Sequence, residues 1–441
     1  MRQRITPEQL EQEFGQKDVD KTIESLRKSI ADLEHIKPSW LSFCREKSQL
    51  ASDSFSFLFK QWVRLHRNGY PSVKQDYLRL VERQMMELKQ VYIALFNLHP
   101  GLIYEQRDSS PELFVWLMLE PEFSDDPFNL HAALSSVQDM HSDIAMLMFV
   151  QAKVANLDKV VAQYIEGGVD NKQWCFELLK WRQTLSIGLS KYWLKNNTLN
   201  ESTLHETLTS FDVSESTEWL SQQNRDEDYL FELLLAKHDR GSWFRKRFGT
   251  QESALSGSKL IIYAKLLDLK EFDQFDPSSH KAPIQLFLSA HPKWIDITIN
   301  HLICLDDDDD EATEWLFSLY TIYGDTFPLK PNELDIEYDL EEAKKIIQDW
   351  YETQSHLPNK QLRCGEVMSY QTSIRAMQDP LVSKEYREWI WRQLCINGRV
   401  YMPWHWVMPC YQQDWVFDKM QQQTAASERF DLRDQNATVG Y

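Results

Sequence analysis

Apolar residues recur along this chain at three- and four-residue steps and almost nowhere at alternate positions, so the pattern is one of amphipathic helices rather than strands. From Asp18 to His35 the stripe is Val19, Ile23, Leu26, Ile30 and Leu33. Ser52–His66 sets Phe55, Phe59 and Trp62 on one face, and Asn68-Gly69-Tyr70-Pro71 breaks the pattern after it. Ser72 and Gln75 have the spacing of a capping box, in which hydroxyl and amide each satisfy an orphan backbone N–H. Leu78, Val81, Met85, Leu88, Tyr92 and Leu95 then hold the helical period until His99-Pro100-Gly101 stops it. A helix of that length needs a long partner, and Ser52–His66 is the nearest.

From Asp126 to Asp325 the predicted helices are short. Ser142 caps one that runs through Ala155 and is apolar nearly all round, which places it at the centre of a stack. Asp170 with Gln173 caps the next, whose stripe is Trp174, Leu178, Trp181 and Leu185. Ser253–Asp268 carries Leu260, Tyr263, Ala264 and Leu267, and the run closes on Ala312, Trp315, Leu316, Leu319 and Tyr323. None of these can bury its stripe alone, so each must stack on its neighbours. The expected fold is all-α: an irregular α-solenoid of antiparallel helix pairs, with helical modules at both ends. The expected segments are an N-terminal module over 1–105, a repeat region over 106–330 and a Trp-rich C-terminal module over 331–422. Asp339, boxed with Glu342, opens the main helix of that last module, and the aperiodic stretch 423–441 reads as a disordered tail.

Composition narrows the function classes. With 67 acidic against 48 basic residues the formal net charge is −19, a field that repels nucleic acid and anionic lipid. The N-terminus has no apolar signal-like core, and the longest apolar runs are far shorter than a membrane span. Six cysteines at 44, 175, 304, 364, 395 and 410 form no CxxC pair. A cytoplasmic protein with reduced thiols is expected, binding neither membrane nor nucleic acid.

Candidate chemistry is sparse. The run Asp306–Asp310 lacks the alternating oxygen ligands and the glycine of a calcium loop, and reads as a solvated approach to a helix N-terminus. The basic cluster Lys237, Arg240, Arg245, Lys246 and Arg247 is the candidate anion site, although it can equally neutralise acidic helices nearby. The C-terminal aromatic block offers Trp404, Trp406, Tyr411 and Trp415 as anchors for a partner, if they are exposed rather than core. His405 has no Ser, Cys or Asp spacing to make it catalytic, and Walker A, G-x-G-x-x-G, G-x-S-x-G and HExxH are all absent. No cofactor, no metal and no catalytic residue is expected.

Two segments resemble a known family. Ser54–Leu95 joins an aromatic-rich helix, a turn and a helix carrying Leu78, Leu80, Glu82, Arg83 and Leu88. Leu316–Asp325 is followed by a Trp helix, an R-x-G step, an Arg-bearing helix and a Gln-rich stretch, with Gly324, Trp350, Arg363, Gly365, Arg387 and Gln413 at the matching positions. This order is similar to that of a bacterial family of uncharacterised HEAT-like repeat proteins, some encoded beside type VI secretion genes. The resemblance implies HEAT-like helix pairs and a scaffold or adaptor whose partners are other proteins, for instance a type VI secretion effector or machine component. It carries over packing positions only. The alternative from another class is a hydrolase or nucleic-acid-modifying enzyme on a HEAT-like scaffold, and a third reading is a glycan binder using the C-terminal tryptophans.

Overall fold

The computed structural model describes residues 4–10, 16–67, 75–124, 126–167, 170–223, 226–249, 259–272, 274–279, 281–305, 311–331, 338–353 and 360–432. Among them the protein is all-helical apart from one antiparallel hairpin, Leu362–Arg363 against Glu366–Val367. The chain gathers into two compact units, one taking 1–67, 73–208 and 403–413, the other built from 209–402 and from 414 onward. The expected segment boundaries at 105 and 330 do not coincide with this division.

The first unit opens with α1 (Gln16–Ile36), α2 (Pro38–Arg67) and α3 (Gln75–Leu98). Pro38 separates α1 from α2, since its ring supplies no N–H and disfavours a helical residue before it. α2 therefore starts well ahead of the expected Ser52. Its inner face is Leu41, Cys44, Ser48, Ala51, Phe55, Phe59, Trp62 and His66, all buried, and it packs along α3. The α3 stripe is buried at Leu78, Val81, Met85, Tyr92 and Leu95. Two polar contacts set the register: the Tyr92 hydroxyl donates to the Ser48 carbonyl (3.2 Å) and the Trp62 indole to Glu82 (3.3 Å). Ser72 of the expected capping box lies outside the described residues.

Further along this unit, Pro111–Met118, Pro127–Ser135, Leu157–Glu166 and Lys172–Trp181 each pack on the one before. Two expected caps are corrected. Ser142–Gln151 is capped by His141, whose Nδ1 accepts the Asp143 N–H (3.3 Å), and the helix stops short of Ala155. The helix expected from Asp170 begins at Lys172 without a side-chain cap and ends at Trp181, leaving Leu185 beyond it. Gln183, in the left-handed region (φ +60°), ends it, with the Thr184 N–H donating back to Leu179 (3.1 Å). The guanidinium of Arg182, the residue before, turns inward to the carbonyls of Phe149 (2.6 Å) and Ala152 (2.9 Å) and pairs with Asp158. The last carbonyls of Ser142–Gln151 are thereby satisfied inside the core, where an orphan would be costly.

In the second unit Lys259–Leu266, Ala282–Ser289 and Glu311–Tyr323 pack in sequence, while Tyr370–Gln378, Lys384–Gly398 and Thr424–Asp431 form a three-helix group. The small hairpin docks on the end of Glu311–Tyr323: Cys364 N–H donates to Thr321 and Gly365 N–H to Ile322, both at 2.9 Å. Gly324 (φ +55°) and Gly365 (φ +78°) permit this approach, since a Cβ on either would lie 2.8 Å from the backbone opposite. Asp339 caps the next helix as expected, accepting the Glu342 N–H at 2.8 Å. The expected disordered tail is corrected over Thr424–Asp431. That helix buries Ala426 and Phe430, sets Phe430 5.8 Å from the Tyr370 ring, and accepts the Tyr370 N–H on Asp431 (2.9 Å). Two apolar residues four apart are too short a pattern to announce a helix, but they suffice where two others already offer a platform. Residues 433–441 lie outside the described set.

Candidate docking surface

The aromatic block divides between inside and outside. Trp404 (1% exposed) and Trp406 (8%) are core, which removes them as anchors. Gln413, itself buried, ties them down: its Oε1 accepts from the Trp404 indole (3.2 Å), and its Nε2 donates to the carbonyls of Trp406 (3.2 Å) and Met408 (2.8 Å). His405 stacks on Trp181 at 4.4 Å, as a packing residue would. Tyr411 (60%) and Trp415 (46%) are exposed, and the Lys419 ammonium lies 6.0 Å over the Trp415 ring.

The basic cluster is likewise split. Asp239 caps Arg240–Phe248 by accepting the Ser242 N–H (3.1 Å), and hydrogen bonds from the Ser242 side chain and then its N–H hold the carboxyl below the usual range. Arg240 is buried and donates to the carbonyls of Leu234 and Leu235, at the end of Leu230–Ala236. Burial, with Arg399 and Arg429 in electrostatic reach, pushes its guanidinium down to about 10. Arg240 thus serves as a helix cap. The Lys237 ammonium sits 5.8 Å over the Trp243 ring, Arg245 is half-buried, and only Lys246 and Arg247 of the five are exposed. The acidic run Asp306–Asp310 lies outside the described residues. Among those described, no cluster of His, Cys, Asp and Glu is placed to hold a metal, and no helix is long and apolar enough to cross a membrane.

A surface not singled out from sequence stands out instead. Of the fifteen large hydrophobics exposed among the described residues, eight fall between Ile36 and Leu98. Four of these are evenly spaced: Ile36 (71%), which ends α1, then Phe43 (57%), Leu50 (56%) and Phe57 (64%) on α2. Along α2 the seven-residue step keeps Phe43, Leu50 and Phe57 on one side of the helix, with a drift of about 20° per step and a separation of about 10 Å along the axis, while Ile36 lies before the break at Pro38. That side is roughly opposite the Leu41–His66 inner face, so the α3 hairpin contact does not cover it. The positions between are polar: Glu46, Lys47, Asp53, Ser54 and Lys60 are exposed, and the Lys47 ammonium lies 5.3 Å over the Phe43 ring. α3 adds Tyr77 (46%), Leu80 (38%), Met86 (41%) and Leu98 (57%). The signal was present in the sequence as the spacing 36, 43, 50, 57. Its exposure depends on which of the two faces of α2 the rest of the unit covers.

The inner face of α2 holds the unit's most desolvated imidazole. His66 (2% exposed) meets the Trp62 ring edge-on at 4.7 Å, and neither ring nitrogen has a hydrogen-bond partner. Burial pushes it down to about 4. No family model, no curated protein and no solved structure matches the chain.

Proposed function

We propose that the chain is a cytosolic scaffold or adaptor that works by binding other proteins, and that it takes a partner on the outer face of α2. The observation that supports this is the row Phe43, Leu50 and Phe57 on α2, each more than half exposed at a constant seven-residue spacing. Large apolar side chains repeated along one exposed helix face cost solubility unless something covers them, and their regular step sets them apart from the scattered single exposures that are ordinary on a protein surface. In this reading the short stacked helices are an irregular α-solenoid of HEAT-like pairs that holds the docking helix rigid. The resemblance to proteins encoded beside type VI secretion genes makes an effector or machine component of that system the first partner to look for.

The test places a photo-cross-linking side chain at position 50 in the native cell, with position 112 (Glu112) on another helix as the control. A cross-link to one protein from position 50, absent from 112 and lost on Phe43→Ser with Phe57→Ser, is the expected result. Equal cross-linking from both positions, or a signal indifferent to the two substitutions, overturns the assignment of this face.

A further inference from the structure

Resting on that reading, we propose that the occupant of the α2 outer face is an acidic amphipathic helix of another protein, with apolar residues at the same seven-residue spacing. The spacing argues for a helix. A step of seven is the period at which two helices keep a shared seam, and along α2 that seam alternates Phe43, Leu50 and Phe57 with the charged Glu46, Asp53 and Lys60. The row is also narrow, one large apolar residue per two turns with Glu46, Lys47, Asp53, Ser54 and Lys60 between. A surface so narrow suits a second helix better than a lipid layer, which takes a broad apolar face.

Charge argues for the acidic class. The chain carries −19, yet α2 has five Arg and Lys against two acidic residues. Arg45 is committed to Glu105 (2.6 Å) and Glu34 (3.2 Å), and Arg67 lies 4.0 Å from Asp143. Glu46 is 3.8 Å from Lys47, while Asp53 accepts from the neutral Gln49 amide at 2.8 Å and keeps its charge in the middle of the row. Lys60 and Arg64 remain, three and seven residues beyond Phe57, both exposed and in no ion pair among the described residues. Cations in the last turn suit the helix dipole, which accounts for Arg64, but Lys60 lies outside that turn. Carboxylates flanking a partner's seam would meet these two.

A second copy fits less well. Paired antiparallel about Leu50, helical geometry brings Glu46 beside Asp53 of the other copy. Paired parallel, it sets Lys60 against Lys60, and in either case two bodies of −19 approach. The same net charge opposes anionic lipid.

The experiment uses the full chain and three labelled helical peptides that share leucines at seven-residue spacing and differ only in their flanks, Glu, Gln or Lys. In fluorescence anisotropy at low salt the Glu peptide is expected to bind at least about tenfold tighter than the Lys peptide, the gap narrowing as salt screens it. Lys60→Glu with Arg64→Glu should invert that order, and Phe43→Ser, Leu50→Ser and Phe57→Ser together should abolish binding while the circular dichroism spectrum stays unchanged. Equal binding of all three peptides overturns the acidic class and leaves the docking face standing. No peptide binding while the cross-link from position 50 persists overturns a helical occupant. A dimer in sedimentation, or co-sedimentation with phosphatidylserine vesicles, that the triple substitution removes overturns the proposed occupant in favour of self-association or a membrane. Loss of the cross-link together with peptide binding overturns the docking reading itself.

Discussion

Two aromatic regions of the same compact unit show how little hydrophobicity says about exposure. Trp404 and Trp406 lie in a dense aromatic stretch near the chain end and are 1% and 8% exposed, whereas Phe57, in the middle of a long helix, is 64% exposed. The difference is in what surrounds each. The tryptophans come with a buried polar partner, Gln413, which accepts one indole N–H and donates to two backbone carbonyls. Phe57 comes with Ser54, Ser56, Lys60 and Arg64, all exposed, and needs no polar repair because water is already there. A buried aromatic is recognised by the hydrogen-bonding group that travels inside with it, and that group can be read from sequence only when the contact is local.

The comparison is broken most directly at Trp404. If the block is core, Trp404→Ala removes a large buried side chain and leaves Gln413 without a donor. The expected loss is about 3–5 kcal/mol of stability, read as a lower urea midpoint with the slope preserved. A loss under about 1 kcal/mol, the range of a surface change, would show that the block is not core.

α2 itself sharpens the contrast, since its two faces differ as the two regions do. His66 on the inner face is neutral in the folded protein, with burial pushing it down to about 4 against an ordinary value of 6.5. In the unfolded chain it takes up a proton as pH falls below 6.5, while the folded protein resists until about 4. The unfolded state therefore binds more protons across that window, and stability is present above it and lost as pH falls through it. The shift corresponds to roughly 3 kcal/mol. Urea unfolding of the wild type and His66→Phe at pH 7 and pH 4.5 reads this as a difference, with the variant losing less on acidification. Equal losses would mean that His66 finds a proton acceptor and is not desolvated as placed.

Much of the fold was legible because the helices are periodic. The α3 stripe and Phe55, Phe59 and Trp62 of α2 are buried where their spacing put them. The first half of α2 was not legible, because after Leu41 its inner face is Cys44, Ser48 and Ala51, small or polar residues that make a weak stripe. The end at Trp181 was missed because it turns on Gln183 taking the left-handed conformation, which a residue other than Gly or Asn does not announce. The Arg182 side chain reaches carbonyls more than thirty residues back in sequence, and the apolar Leu185 gives no hint of that. The same limit applies to the candidate sites. Arg240 reads as a surface cation until the carbonyls of Leu234 and Leu235 are seen to need its donors. The seven-residue row of α2 was fully spelled out in the chain, but a helix with two apolar sides does not say which one the fold will use.

The smallest expected effect is the most discriminating. Phe57→Ser replaces a large aromatic side chain, as Trp404→Ala does, yet should change stability by no more than about 0.5 kcal/mol. The ring makes little contact to lose, and serine neighbours at positions 54 and 56 show that the helix tolerates that residue. Serine is a slightly poorer interior helix residue than phenylalanine only by tenths of a kcal/mol, so propensity adds little to the change. Thermal and urea melts of the purified chain give the number. A destabilisation of about 2 kcal/mol or more, the scale of a buried apolar side chain, would mean that the outer face of α2 is already covered within the protein. The proposed docking row would then be core, and the contrast between the two aromatic regions would disappear.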